Sequence, residues 1–165
     1  MEPARLYEQA RRYVGYRDEL DLGEVRRRDF QRFAIAVGDL NPLYFDEEVS
    51  RAAGFSRLVA PPLYLTSVMG WNPGPAEAGL REDGLAEADS FLIPIPGLRL
   101  MGGGQKIEFT GAVLEGARVV MKRQLEDVQL REGRSGPMVL FTVRRDYFDQ
   151  HDEVLATCVE TFIGR

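Results

Sequence analysis

From Gln105 to the C-terminus, four runs of strand-like composition follow one another with only turn sequences between them. They are Gln105 to Val113, Ala117 to Leu130, Gly136 to Phe148 and Glu153 to Ile163. The separators are Glu115-Gly116, the run from Glu132 through Gly133-Arg134-Ser135 to Gly136, and Gln150-His151-Asp152, all rich in turn formers. In the third run Val139, Phe141, Val143 and Tyr147 alternate with Thr142, Arg144 and Asp146, the period of a strand with one buried face. In the fourth, Leu155, Val159 and Ile163 share a face with Thr157 and Thr161. Such a series predicts a long antiparallel meander. A meander must bury its apolar face against another layer. The first half offers one stretch suited to that, Leu63 to about Met69, which has no charge and predicts a helix buried on most sides. Pro62 fits its first position, where a missing N–H costs nothing. The fold class is therefore α+β, an antiparallel sheet packed on a central apolar helix.

The rest of the first half is helical. Residues 3–14 predict a helix with Leu6, Ala10, Tyr13 and Val14 on one side, within an N-terminal extension over residues 1–19. Leu20 to Val25 predicts a first strand. Asp29 is placed to cap a helix carrying Phe30, Phe33, Ala34 and Val37, which Gly38 ends. Asn41-Pro42 forces a turn, and Asp46-Glu47-Glu48 opens a short helix that stops near Gly54. Residues 72–98 are rich in Gly, Pro and Ala and too long for a plain connector, so they are expected to form a lid or long loop. Within 165 residues there is no internal repeat, which predicts one domain over 1–165.

Composition excludes several classes of function. A net charge of −5 argues against a general nucleic-acid binder, which needs a basic face. Cys158 is the only cysteine, so a disulfide within the chain and a cysteine metal cluster are excluded, and it reads as a small core residue. No metal-ligand spacing occurs. No apolar run is long enough to span a membrane, and the N-terminus lacks the apolar core of a signal peptide, so a cytoplasmic location is expected. The sole histidine, His151, reads as part of a solvated hairpin turn. Arg26-Arg27-Arg28 reads as a solvated face, with a contact to ligand phosphates as the sharper alternative. Trp71 reads as core or interface.

The run Gly38-Asp39-Leu40-Asn41-Pro42-Leu43, followed by Asp46, resembles the hydratase signature of the MaoC-like (R)-specific enoyl-CoA hydratases and dehydratases. The lead-in Val59-Ala60-Pro61-Pro62 is similar to that of their N-terminal-type dehydratase domains. So are Leu100-Met101-Gly102-Gly103-Gly104-Gln105 and the run from Arg131 to Pro137. The likeness covers residues 20–163 in one order. It implies a hot-dog fold, a sheet wrapped around a long central helix, working in pairs. One copy in this chain implies a second hot-dog chain, as a homodimer or with a MaoC-like partner that keeps the catalytic Asp and His.

The resemblance also implies chemistry. Water adds across a trans-2-enoyl thioester, or leaves a 3-hydroxyacyl thioester, under a carboxylate and an imidazole. Backbone N–H groups at the start of the central helix polarise the thioester carbonyl. No cofactor is implied beyond the CoA or acyl-carrier pantetheine of the substrate. Asp39 matches the catalytic Asp, Asn41 its partner, and Tyr44 occupies the place of the His. Pro61 falls where the hydratases have an oxyanion-hole glycine, and proline has no N–H. Pro61, Pro62, Leu63, Gly102, Gly103, Gly104 and Gln105 are the expected substrate-binding positions. Gly102-Gly103-Gly104 is not a phosphate loop, because a strand and not a helix follows it. Three readings follow: a degenerate, substrate-binding subunit of a heteromeric hydratase or dehydratase; a self-sufficient homodimeric lyase using Asp39; or an acyl-thioester-binding or thioesterase-like module. The plain alternative for Asp39 is a turn residue bonded to local backbone.

Overall fold

A computed structural model describes residues 2–70, 76–80, 84, 95, 98–134 and 136–164. The expected lid over 72–98 and Trp71 lie, but for a few positions, outside the described residues. Helix α1 spans Pro3–Ala10, strand β1 Arg17–Glu24, helix α2 Arg27–Val37 and helix α3 Glu47–Ala52. Strands β2 (Leu100–Phe109), β3 (Arg118–Gly133), β4 (Gly136–Phe148) and β5 (Val154–Gly164) complete the sheet. All neighbours are antiparallel, in the order β1-β3-β4-β5-β2. This is an α+β hot-dog architecture. Among the described residues no helix is long and apolar enough to cross a membrane.

The expected meander holds for β3, β4 and β5 but not for β2, which pairs with β5 at the outer edge. The reason lies in residues 110–117. Glu115-Gly116 makes no hairpin, because its backbone groups are taken by the first half of the chain. Ala60 donates to Val113 O (2.7 Å), Glu115 to Leu58 O (2.9 Å) and Gly116 to Val25 O (2.9 Å), while Val25 donates to Ala117 O (2.8 Å). The segment is a crossover. Strand β2 also begins at Leu100, so Gly102 to Gln105 lie inside the strand, with a register shift between Gly102 and Gly104. Glycine weakens a strand interior but suits a bulge at an edge.

Three local expectations are corrected. Arg26, without a side-chain hydrogen bond, is the N-cap of α2, and Asp29 sits inside the first turn. The N-terminal helix closes in a 3-10 turn at Arg11–Tyr13, which leaves Val14 exposed while Leu6 and Ala10 are buried. The apolar helix is a short π-helical turn, Leu65–Met69, closed by Gly70 N–H on Leu65 O at 2.7 Å. It buries Tyr64, Leu65 and Thr66 but leaves Leu63 48% and Val68 43% exposed, so it is apolar on more sides than it buries. Gly70 fits a close approach there: a Cβ would stand 3.0 Å from Leu65 O and 3.2 Å from Tyr147 Oη.

The inner face of the sheet carries two apolar clusters. One packs Val119, Met121, Tyr147, Ala156 and Cys158 under α2 and the π-helical turn. The other packs Leu125, Val139, Phe141, Val143 and Phe162 under Leu6 and Ala10 of α1 with Ile95 and Leu98. On β5 the inward residues are Ala156, Cys158 and Phe162, not the expected face of Val159 and Ile163; only Leu155 of that face is buried. Small residues are needed there, since a Cβ on Gly164 would fall 2.4 Å from Phe141 Cε2. Cys158 is a core residue as expected, its thiol pushed up to about 11 chiefly by burial.

Between the clusters, Arg145 and Glu160 form an ion pair at 2.9 Å, with Arg145 only 2% exposed. Burial raises the Glu160 carboxyl above its usual range, against the opposing pull of Arg145. Removing one member of such a pair costs more than removing both, because it strands the other charge. Arg145→Met is expected to destabilise the fold by about 3–5 kcal/mol. Arg145→Met combined with Glu160→Met is expected to recover most of that loss, as read by denaturant unfolding.

Candidate functional site

Helix α2 ends at Gly38, whose φ of 74° turns the chain sharply. Asp39 follows, its N–H held by Ala34 O at 2.9 Å. Asn41 Oδ1 then accepts from Leu43 N–H at 3.1 Å and caps the 3-10 turn Pro42–Tyr44. The turn is tied to its surroundings by Gln31 Nε2 on Tyr44 O (2.9 Å) and Val59 N–H on Leu43 O (3.1 Å). Asp46, beyond it, caps α3 through Glu48 and Val49.

The outcome is a fixed pairing of the two residues expected to matter most. Tyr44 is 5% exposed, and its hydroxyl donates to Asp39 Oδ2 at 3.2 Å. Asp39 Oδ1 faces the N–H of Asn41 at 3.4 Å. Burial, then the charge of Asp39 and their hydrogen bond, raise the Tyr44 phenol above its ordinary value. A phenol held protonated well above neutrality donates a hydrogen bond and cannot serve as a base there. Asp39 itself is exposed at the mouth of a cleft.

That cleft has a volume of about 540 Å3. Asp39 and Tyr44 form one side, Pro61, Pro62 and Leu63 the other, with Phe33, Val37, Ser67 and Phe109 completing it. Five of the expected site residues thus meet. Asn41 shapes the turn. Gly102, Gly103, Gly104 and Gln105 do not line the cleft: Gly104 lies five residues before Phe109, about 16 Å along the strand. Gln105 instead accepts a weak bond from Cys158 Sγ at 3.9 Å.

Phe33, Val37, Ser67 and Phe109 were not singled out as site residues. Phe33 and Val37 share a helix face that sequence periodicity assigns to the core, and Phe109 is placed only by the crossover. No imidazole lines the cleft, because His151 is exposed in the turn between β4 and β5. Pro61 and Pro62 bring no N–H, so Leu63 is the first residue of that wall with a backbone donor. Of the three arginines, Arg27 is a brace: it holds both oxygens of Glu115 (2.9 Å each) and Glu47 (2.6 Å). Among the described residues there is no cluster of three side chains suited to a metal.

Residues 12–158 match the family described as FAS1-like, dehydratase domain region. A UPF0336 protein of Mycolicibacterium paratuberculosis is 33% identical over 144 residues, 87% of this chain and 74% of that one. A probable enoyl-CoA hydratase alpha subunit of Thermomonospora curvata is 31% identical over 155 residues, covering 82% of this chain and 46% of that protein. The chain therefore spans about half of that relative. Among solved structures, the ChsH1-ChsH2 complex of Mycobacterium tuberculosis gives a TM-score of 0.68 at 20% identity, covering 97% of this chain and 89% of that one. The C-terminally truncated HadBC (3R-hydroxyacyl-ACP dehydratase) complex of the same organism gives 0.67 at 21%, covering 92% and 96%. At these identities the likeness is one of fold, and the fold is the expected hot-dog.

The Asp39–Tyr44 pair has a direct spectroscopic consequence. Asp39→Asn removes a charge that raises the phenol, so the Tyr44 pKa is expected to fall toward, but stay above, 10, since burial remains. An ultraviolet titration that subtracts Tyr44→Phe reads that shift.

Proposed function

The chain belongs to the FAS1-like dehydratase-domain family, and from that premise we propose that it is the substrate-binding subunit of a heteromeric acyl-thioester hydratase or dehydratase. One observation carries this reading: the carboxylate that the hydratase signature supplies is hydrogen-bonded to a phenol where the chemistry needs an imidazole. Hydration forms a bond from a water oxygen to C3 and delivers a proton to C2, so one group must take a proton and one return it. Asp39 can accept, but Tyr44 keeps its proton. The proton relay therefore comes from a second hot-dog chain with an intact carboxylate and imidazole.

In this assembly the present chain shapes the binding cleft. Phe33, Val37, Pro61, Pro62 and Phe109 suit an acyl chain and the apolar part of pantetheine. The substrate carries its own CoA or acyl-carrier arm, and no other cofactor is needed. Ile35, Val37 and Leu40 at the end of α2, Leu63 just before the π-helical turn and Val68 on it are all exposed, an apolar rim that a second chain would cover. The relatives agree in kind: one is named an alpha subunit, and two structural neighbours are complexes of two named chains.

The test is hydration of a trans-2-enoyl thioester by the purified chain, alone and mixed with a hot-dog chain that keeps both catalytic groups. Alone, turnover is expected to lie about 10²–10⁴-fold below the mixture, the usual worth of a positioned acid–base group. Turnover by the chain alone that Asp39→Asn abolishes would contradict the proposal and transfer the chemistry to a homodimer.

A further inference from the structure

A second cleft, of about 570 Å3, shares no residue with the one at Asp39. The turn bearing His151 forms one wall, Ser56 and Arg57 another, and the crossover at Leu114 to Ala117 the floor. The chain runs from this cleft to the first through Leu58, Val59 and Ala60, which are pinned to Val113, Leu114 and Glu115. The Arg57 loop is itself anchored, since the fully buried Ser50 donates its hydroxyl to Arg57 O at 2.7 Å.

The polar groups around this cleft divide into two sets. Glu115 is taken by Arg27 through both oxygens. Asp149 Oδ1 accepts the N–H groups of His151 (2.8 Å) and Glu153 (3.0 Å), and Gln150 Oε1 accepts that of Arg118 (3.0 Å). The second set has no such commitment. Among the described residues the Arg57 guanidinium makes no hydrogen bond or ion pair. It shares the cleft with His151, Ser56 and Glu24. Arg57 Nη1 and Glu24 Oε1 stand 3.6 and 3.9 Å from the position a Cβ would take on Gly116, so both border the same bare stretch of backbone.

A guanidinium with its fork unused, an imidazole and a hydroxyl on a fixed backbone make an oxyanion site, and the fork favours phosphate. The chain as a whole is acidic, at −5, so diffuse attraction does not bring anions here and binding must come from these donors. Glu24 and Asp149 both oppose a bare polyanion, and Glu24 can accept from a hydroxyl or amide N–H next to the phosphate. We propose that this cleft binds the phosphate of a small phosphorylated ligand through Arg57 and His151. On the acyl-thioester reading the source is the phosphorylated pantetheine arm of the substrate, and only that choice of source rests on it. Inorganic phosphate is the other source of the same chemistry.

Because His151 is the only histidine, its imidazole resonance is a single reporter placed in this cleft. The probes are inorganic phosphate, 4′-phosphopantetheine and pantetheine, titrated at fixed pH. Both phosphates are expected to shift the resonance saturably, pantetheine not at all, and Arg57→Gln to weaken the response about tenfold or more. Arg57 is exposed, so that variant keeps the fold, and the unchanged remainder of the spectrum confirms it. Saturation by 4′-phosphopantetheine well below inorganic phosphate assigns the site to the carrier arm, and the reverse order assigns it to free phosphate. No shift with either phosphate, an equal shift with pantetheine, or an unaltered response in Arg57→Gln would overturn the proposal. Phosphate binding by a chain that stays inactive in the hydration mixture would retain this site while removing the catalytic assembly.

Discussion

The hydrogen bonds that residues 113–117 make with Val25, Leu58 and Ala60 hold the two halves of this chain in register. Nearly everything functional depends on them. They carry the chain across the sheet, so that β2 ends up at the outer edge beside β5 and not beside β3. They fix the run that leads from Arg57 to Pro61. They also bring Phe109 to face Asp39, although the two are far apart in sequence. A hairpin at Glu115-Gly116 would satisfy the same backbone groups locally and dissolve both clefts.

The site at Asp39 is built for rigidity. Each turn residue satisfies another: Asn41 caps Leu43, Tyr44 holds Asp39, and Gln31 holds the carbonyl of Tyr44. Such preorganisation lowers the cost of binding a ligand. It also narrows the chemistry, because among the described residues the side chain hydrogen-bonded to the carboxylate is a phenol that burial and charge keep protonated. The turn thus holds its carboxylate against a hydrogen-bond donor that stays protonated near neutrality.

How much of this was legible in the sequence depends on the range of the interaction involved. Gly38 ends α2 as read, because a terminating glycine acts locally, and α3 opens at Asp46 as expected, whereas Asp29, read as a cap, sits inside the first turn of α2. The inward face of β4 was also legible, since Val139, Phe141, Val143 and Tyr147 stand there at period two, broken only at Arg145. On β5 the pattern misled: the inner face carries Ala156, Cys158 and Gly164 where neighbours press close, and the larger Val159 and Ile163 lie on the other face. Arg145 was invisible as a core residue because its partner, Glu160, is on the next strand. The π-helical turn looked more buried than it is, because an exposed apolar run reads like a core in the sequence. Of the residues that the motifs pointed to, Asp39, Tyr44, Pro61, Pro62 and Leu63 line one cleft, whereas the glycines of β2 do not line it and Phe109, which no motif marked, does.

The central claim is that the cleft between the Asp39–Tyr44 turn and the Pro61–Leu63 wall receives an acyl thioester. Photo-crosslinking with a diazirine-bearing acyl thioester, in the presence of the partner chain, tests it most directly. The account predicts label on the cleft residues, among them Phe33, Leu63 and Phe109, competed away by unlabelled thioester. Label that misses these residues, or that excess thioester leaves unchanged, would contradict it.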